Sequence, residues 1–338
     1  GTRTGPWQLL NPSAGCGAYG GVVSGDVSGT TAGSVSQVCG QNLVGDYSQI
    51  TPSLRRINST IHLTANVTDR SQLTAMFTYS QALSTAITHT PYTTRSSIQS
   101  LQANTYAASL PVYLPNGSLN PNNPFAAEGQ EAQIYYRFSD LVPTQESFSQ
   151  NFRGSVRYNG SAASNWGSDW KYDANFVGMN TLLQQTYTGY PTINGIEEAI
   201  ADGSYNFVDP SSNSSAVLNS IAPKKTINAR TQEYSGELSL SKGLFNLPGG
   251  TADLAIGGNV RWESLNDPNA NPLNPSNLGA QYAGINPFNA KGSRWVESGF
   301  FEVGLPFHKM FNADVSGRYD NYSGNMNHFS PKVGVNFK

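Results

Sequence analysis

Residues 61–79 read Ile-His-Leu-Thr-Ala-Asn-Val-Thr-Asp-Arg-Ser-Gln-Leu-Thr-Ala-Met-Phe-Thr-Tyr. Apolar and polar side chains alternate from Ile61 to Val67, and the alternation resumes from Leu73 to Tyr79 after a short polar segment. A period of two places the apolar residues of a strand on one face. Two such runs joined by a polar turn predict an antiparallel β-hairpin.

The same alternation recurs in seven further runs along the chain. They begin near Phe152, Trp170, Tyr234, Ala252, Gly299, Ala313 and Pro331. In every run one face carries no charged residue, whereas the opposite faces carry Asp, Glu, Arg and Lys. The sequence therefore predicts an all-β protein with about nine to eleven antiparallel strands.

Composition narrows the possible classes of protein. The 338 residues carry 20 Lys+Arg and 22 Asp+Glu, and 12% are charged, against about 25% in ordinary soluble domains. The near-zero net charge argues against a nucleic-acid partner, because nucleic-acid-binding domains are basic. No apolar run approaches the roughly 18 residues of a membrane-spanning helix, but the strands of a membrane barrel are short and only half apolar.

Two architectures share the alternating pattern. In a soluble sandwich the apolar face packs in a core, whereas in an outer-membrane barrel it contacts lipid and the charged face lines the lumen. Gly and Ala are more frequent on the apolar face than a close-packed core favours. Aromatic residues also cluster near strand ends, as in the girdles of barrels; they are Tyr79, Tyr158, Trp170, Trp262, Trp295 and Tyr319. The pattern therefore favours a transmembrane antiparallel β-barrel.

The connections between the runs alternate in length. The short links are 68–72, 159–166, 243–250 and 306–311, and the long ones are 85–147, 180–229 and 265–293. Short turns at one end and long extracellular loops at the other are typical of bacterial outer-membrane barrels. Inside the long loops we predict a strand over residues 132–138 and a short helix over 193–201 that ends near Gly203.

Several short motifs resemble the barrel of TonB-dependent receptors, the active transporters of the Gram-negative outer membrane. In chain order they are Asn120-Pro-Asn-Asn-Pro-Phe125, Tyr136-Arg137, Trp170-Lys-Tyr-Asp173, Ala199-Ile-Ala-Asp-Gly-Ser-Tyr-Asn206 and Ser330-Pro-Lys-Val-Gly334. The resemblance covers the chain from about residue 45 to its end. It implies energised uptake of a scarce nutrient, such as a siderophore or a carbohydrate, with no covalent chemistry.

The resemblance also implies a domain organisation and partners. Receptors of this family have an N-terminal plug inside a barrel of roughly 22 strands, and the TonB–ExbB–ExbD system engages them from the periplasm. We therefore expect residues 1–338 to be an internal part of one barrel domain in the cell outer membrane, with residues 1–50 as an extracellular loop and 51–338 as wall strands and loops. The plug and the C-terminal strands would lie outside this sequence. Expected partners are outer-membrane lipids, a small or oligomeric nutrient and a surface lipoprotein.

Two alternative functions fit the same pattern. A passive porin of this length would have about 16 strands, although the three long loops leave little chain for that number. A soluble secreted β-rich protein that binds glycans would need no membrane.

Cys16 and Cys39 lie in one Gly/Ser-rich stretch. Such an isolated pair predicts a disulfide, which would stabilise the fold by roughly 3 kcal/mol and implies an oxidising compartment. Two free thiols are the alternative. We expect no metal site, because no histidine lies near either cysteine.

The candidate functional residues fall into two groups, and neither contains an enzyme motif. The loop residues that could contact a ligand are Tyr135, Tyr136, Arg137, Tyr187, Tyr190, Tyr205 and Tyr282. Aromatic faces suit sugars and siderophores, and ordinary packing among the long loops is the alternative for each tyrosine. The residues expected in the lumen are Arg153, Arg157, Asp173, Glu237, Arg261, Glu263 and Arg318. They would solvate the interior or line a substrate path. We predict no catalytic residue and no cofactor.

Overall fold

A computed structural model describes residues 9–10, 16–24, 37–94, 105–106, 108–324 and 326–337. The strands are β1 (Val22–Ser24), β2 (Gln37–Cys39), β3 (Ser53–Thr68), β4 (Ser71–Ile87), β5 (Thr93–Thr94), β6 (Thr105–Tyr106), β7 (Ala108–Leu110), β8 (Ala132–Ile134), β9 (Thr144–Ala162), β10 (Trp170–Thr188), β11 (Lys225–Leu247), β12 (Gly250–Asp267), β13 (Ala290–His308), β14 (Phe311–Tyr322) and β15 (Met326–Phe337). The helices are α1 (Leu43–Tyr47), α2 (Ile193–Asp202) and α3 (Ser215–Ile221). None of the helices in these ranges has the length and hydropathy needed to cross a membrane.

The nine long strands form one antiparallel sheet in the order β3-β4-β9-β10-β11-β12-β13-β14-β15. Each long strand is therefore hydrogen-bonded to the long strands before and after it in the chain. The predicted all-β class and the nine alternating runs are confirmed. Across the described residues the sheet is open, with β3 and β15 as its edges.

The strands extend well beyond the alternating runs. In the sequence, the run on β11 covers only 233–240, but the strand spans Lys225–Leu247. Residues just outside that run, such as Thr231 and Gln232, are polar on both faces. A period of two in hydrophobicity cannot be seen where both faces are polar, so the sequence underestimates strand length there.

The strand register places the apolar residues of the nine alternating runs on one side. Residues directly opposite one another point to the same face. One such row crosses seven strands through Ile61, Phe77, Gly154, Gly178, Tyr234, Trp262 and Trp295. We call this side the apolar face and the opposite side the polar face.

The apolar face has no protein layer over it in the described part of the chain. Leu63, Phe176 and Val333 are 64%, 55% and 71% exposed. The buried hydrophobic clusters lie in and around the loops instead. The sheet is therefore not half of a sandwich within the described residues.

Connections of different length lie at opposite ends of the sheet. Residues 88–143, 189–224 and 268–289 connect strands at one end, where a short turn also joins Tyr322 to Met326, and turns at 69–70, 163–169, 248–249 and 309–310 connect strands at the other. The predicted alternation of short and long connections is confirmed. Within the long connections, the expected helix is α2, with Gly203 at φ +70 after it, and part of the expected 132–138 strand is β8.

A buried lysine marks the short-turn end of the apolar face. Lys242 on β11 lies opposite Leu254 and is only 4% exposed. Its Nζ lies 4.5 Å from the centre of the Trp166 ring and 5.0 Å from that of Trp170, and it donates to Ser164 Oγ at 2.5 Å. Two indole faces and a hydroxyl compensate for the lost hydration of the ammonium group.

We expect the Lys242→Ala variant to lower the free energy of unfolding by about 1–2 kcal/mol, because it removes two desolvated cation–π contacts. Thermal unfolding followed by circular dichroism measures the change. The control is Lys171→Ala, at an exposed lysine on β10, which should stay within about 0.5 kcal/mol of wild type. Equal destabilisation in both variants would contradict a specific contribution from the two rings.

Candidate functional site

The long connections pack together at one end of the sheet, and we call segments 88–94, 108–143, 189–224 and 268–289 the loop cap. They share a hydrophobic core of their own. Its buried residues are Tyr92, Ala108, Leu110, Ala132, Ile134, Tyr136, Phe138, Leu141, Ile196, Ala199, Ile200, Tyr205, Phe207, Ile221, Ala222 and Ala283. The cap is therefore a folded layer in which all three long connections take part.

Helix α2 supplies one wall of this core. The Thr192 hydroxyl caps the helix by accepting from the Gly195 amide at 3.0 Å. Spacings of three and four residues place Ile193, Ile196 and Ile200 on one face, and all three are buried. Helix α2 therefore packs the connection 189–224 against the other two long connections.

Two asparagine side chains tie loop backbones together. The Asn123 amide group donates to the carbonyls of Gln130 at 2.8 Å and of Leu110 at 3.3 Å. The Asn271 amide group donates to the carbonyls of Tyr282 at 2.9 Å and Ile285 at 2.7 Å. Buried carbonyls that would otherwise lack partners are satisfied in this way. The Asn-Pro-Asn-Asn-Pro-Phe motif therefore has a structural role, because its Asn123 connects two parts of the loop backbone.

Aromatic rings fill the centre of the cap. The Tyr136 ring lies 5.0 Å from Phe207, 5.2 Å from Phe138, 5.9 Å from Tyr205 and 6.2 Å from Tyr19 in near edge-to-face contacts. This geometry is favoured between aromatic quadrupoles. Tyr19 lies between the two cysteines of the Cys16–Cys39 disulfide, so the segment that the disulfide closes contacts the cap at this residue. The predicted disulfide forms.

Four side chains form a directed hydrogen-bond chain through this cluster. The Tyr19 hydroxyl donates to the Tyr136 oxygen at 2.6 Å, and the Tyr205 hydroxyl donates to Asp140 Oδ1 at 2.7 Å. Because Tyr205 has only one proton, Tyr136 is the donor in the 3.1 Å contact between Tyr136 and Tyr205. The chain therefore ends on the Asp140 carboxyl, whose Oδ2 accepts from Asn213 at 3.1 Å.

Burial keeps the hydroxyls of this chain protonated. It raises the pKa of Tyr19, Tyr136 and Tyr205 above the ordinary tyrosine value. Burial also raises the pKa of the Asp140 carboxyl, and the hydrogen bonds from Tyr205 and Asn213 oppose that rise. The cap thus holds a carboxyl whose proton affinity differs between the folded and unfolded chain.

The predicted ligand-contact residues occupy three different environments. Tyr136 and Tyr205 lie in the main cap core, with 7% and 0% exposure. Tyr190 is the buried centre of a second cluster, with Tyr187 and Tyr282 packed against it. Packing in the cap thus accounts for the burial of these tyrosines.

Tyr135 and Arg137 lie on the other side of the same segment. Ala132, Ile134, Tyr136 and Phe138 are buried, and the residues between them are exposed or half-buried. Tyr135 is 46% exposed. The alternation therefore leaves Tyr135 and Arg137 as the members of the predicted group that face away from the core.

The predicted lumen residues lie on the polar face, where several form ion pairs. Arg157 pairs with Asp173, Arg261 and Arg294 both pair with Glu263, and Arg318 pairs with Asp320. The Arg261, Arg294 and Arg318 distances are 2.8, 3.0 and 2.8 Å. Arg153 and Glu237 share this face without an ion pair to a described residue. The described part of the chain has no cluster of side chains suited to a metal ion.

Sequence reasoning missed Tyr19, Asp140 and Asn213, which complete the hydrogen-bond chain. These residues come from three separate segments, and no local pattern connects them. A signal was present for Tyr136, because Ile134, Tyr136 and Phe138 occupy every second position of the predicted strand over 132–138 and so share one face. That pattern indicates an inward side chain.

Comparisons with known proteins give structural neighbours only. No family model matches the sequence, and no curated protein matches it. The siderophore receptor PirA from Acinetobacter baumannii is 14% identical with a TM-score of 0.43, and the alignment covers 88% of this chain and 34% of that one. The RagAB peptide transporter is 14% identical with a TM-score of 0.46, over 84% of this chain and 30% of that one; its closed-closed state gives the same values.

The chain thus spans about a third of the length of these structures. Because both TM-scores lie below 0.5, the similarity does not by itself define a function.

We expect the stability of the cap to fall as pH rises from the ordinary carboxyl pKa through the raised pKa of Asp140. The folded cap binds this proton more tightly than the unfolded chain, so the contribution of Asp140 to the free energy of unfolding is greatest below the ordinary carboxyl pKa. Asp140→Asn should flatten this dependence in thermal unfolding measured between about pH 4 and pH 7.

The matched control is Glu128→Gln, at an exposed carboxylate of the same cap, which should keep the wild-type pH profile. A wild-type profile in Asp140→Asn would show that another group carries the dependence.

Proposed function

We propose that this chain forms part of the wall and the extracellular cap of an outer-membrane transport barrel of the TonB-dependent receptor type. The observation that carries the proposal is the uncovered apolar face of the nine-stranded sheet. Burying one Val, Leu or Phe side chain contributes about 1.5–3 kcal/mol. Soluble monomers rarely leave a continuous apolar surface of this extent in water. Hydrocarbon is the medium that such a face suits.

The polar face supports an aqueous interior. Its ion pairs, such as Arg157–Asp173 and Arg318–Asp320, stand among Ser, Thr and Asn side chains. Charged residues facing lipid near the middle of a bilayer cost about 2–4 kcal/mol each, whereas residues facing a lumen are tolerated. This difference between the faces supports lipid on one side and a water-filled passage on the other.

The loop cap suits the extracellular end. Bacterial barrels carry their long loops outside the cell and short turns on the periplasmic side. A disulfide in the segment packed against the cap fits an oxidising compartment. In this orientation Tyr135 and Arg137 are the first residues we propose for contact with a nutrient. A siderophore or a carbohydrate is the proposed class of cargo.

The energy source and the partners follow from the proposed family. The TonB–ExbB–ExbD system would drive uptake through a plug domain in the complete receptor, and a surface lipoprotein is a further proposed partner. This chain would contribute no covalent chemistry. A passive porin remains the second candidate, because its wall would present the same two faces.

We expect adjacent positions on β10 to contact different media. A nitroxide on Phe176→Cys should be accessible to oxygen and protected from a water-soluble nickel chelate, because Phe176 is on the apolar face. Asn175→Cys is the matched control, one residue away on the polar face, and should show the reverse in the full-length protein reconstituted in bilayers. Equal access of the nickel chelate to both labels would instead favour a soluble glycan-binding protein.

We expect uptake of the nutrient by cells that carry the complete protein to stop when a protonophore collapses the inner-membrane proton gradient. A panel of ferric siderophores and oligosaccharides identifies the transported class. Planar-bilayer recording of the same protein should show no stable open channel. Uptake that persists without the gradient, together with a constant conductance, would contradict the receptor function and support a passive porin.

A further inference from the structure

Three neighbouring strands carry an ordered patch on the apolar side, toward the loop end. It has three rows, each with one residue from β11, β12 and β13 in direct register. The rows are Tyr234–Trp262–Trp295, Gln232–Ser264–Ser293 and Arg230–Asn266–Lys291. We call these nine residues the graded patch, because its chemistry changes from aromatic to hydroxyl and amide to cationic.

The dimensions of the graded patch follow from sheet geometry. Adjacent strands lie about 4.8 Å apart and residues rise about 3.4 Å along a strand. Arg230 and Lys291 are therefore roughly 10 Å apart at their backbones, and the cationic row lies about 14 Å along the strands from the aromatic row. Tyr234 and Trp262 stack at 5.8 Å with 21° between their planes, so these two rings form one aromatic surface in the row.

Both cations of the patch are exposed, and neither has an acidic partner among the described residues. Arg230 uses its Nε to donate to Asn180 Oδ1 at 2.7 Å. In the described part of the chain neither Arg230 nor Lys291 forms an ion pair, although Arg157, Arg294 and Arg318 on the polar face all do. The positive charge at this edge is therefore available to an anion from outside the protein.

We propose that the graded patch binds a phosphorylated glycolipid of the outer leaflet, a proposal that rests on the membrane location argued above. The acyl chains would lie along the apolar face beside Leu238, which is 52% exposed, one row beyond Glu297, whose carboxylate accepts from the Asn321 amide. The sugar rings would contact the hydroxyl and amide row, and the phosphates would reach Arg230 and Lys291. Guanidinium and ammonium groups form short, charge-assisted hydrogen bonds with phosphate oxygens.

The spacing of the rows favours a glycolipid over a glycerophospholipid. A glycerophospholipid carries its phosphate close to its acyl chains, so it would leave the row of Gln232, Ser264 and Ser293 without a partner. A saccharide placed between the acyl chains and the phosphates matches that row. Two cations roughly 10 Å apart further suit a headgroup with two phosphates.

Native mass spectrometry of the full-length protein in mild detergent tests the proposal. The probes are lipid A, which is a bis-phosphorylated disaccharide lipid, its dephosphorylated form, phosphatidylglycerol and inorganic phosphate. We expect lipid A to bind, and the Arg230→Gln/Lys291→Gln variant to bind it about tenfold more weakly through loss of charge-assisted contacts. The control is Arg56→Gln/Lys171→Gln, which removes two exposed cations from the polar face and should bind lipid A as wild type does.

Each remaining outcome contradicts the proposal. Equal binding of lipid A by the Arg230→Gln/Lys291→Gln variant, or equal binding of dephosphorylated lipid A by wild type, would exclude phosphate recognition at this patch. Equal competition by phosphatidylglycerol would assign the patch to a phospholipid, and equal competition by inorganic phosphate would assign it to a free anion. If Phe176 labels contact lipid but lipid A is not selected, only this inference fails. If those labels contact water, the proposed function itself fails.

Discussion

The structure depends on a sheet whose inner strands satisfy their own backbone and whose apolar face has no partner among the described residues. The eight strand-to-strand ladders pair the seven inner strands on both sides and the edge strands β3 and β15 on one side, so the backbone of the inner strands needs no water. The side chains alone then decide which medium each face contacts. Within the alternating runs they are mainly Leu, Val, Phe, Gly and Ala on one side, and mainly Ser, Thr, Asn and charged residues, several of them paired, on the other. This separation makes a hydrocarbon boundary the simplest environment for the sheet.

The hydrophobic core that a soluble protein would place under its sheet lies in the loop cap instead. Tyr136, Phe138, Tyr205 and Phe207 pack at its centre, and the chain of hydroxyls ends on Asp140. Loops that share a core and a hydrogen-bond network move together more readily than separately. A cap of this kind can present Tyr135 and Arg137 in fixed positions while its own packing remains intact.

Much of the sheet could be predicted from the sequence, and the roles of the loop tyrosines could not. Alternation around Phe77, Phe176 and Val333 depends only on neighbouring residues, so the nine strands were visible. The outer parts of the strands were hidden because residues such as Thr231 are polar on both sides. Tyr136 and Tyr205 face a core made by distant segments, and composition does not distinguish a buried tyrosine from one that binds a ligand. The Cys16–Cys39 pair was predictable because both residues lie in one short stretch.

Positive charge is buried at one end of the apolar face and exposed at the other, and this difference distinguishes the two ends of the sheet. At the short-turn end, Lys242 is enclosed by Trp166 and Trp170, so its charge is compensated within the protein. At the loop end, Arg230 and Lys291 stand exposed beyond the aromatic row. A bilayer with the same lipids in both leaflets would give no reason for such an asymmetry. A membrane whose outer leaflet carries densely phosphorylated headgroups does give one, because exposed cations then gain partners at only one of the two surfaces.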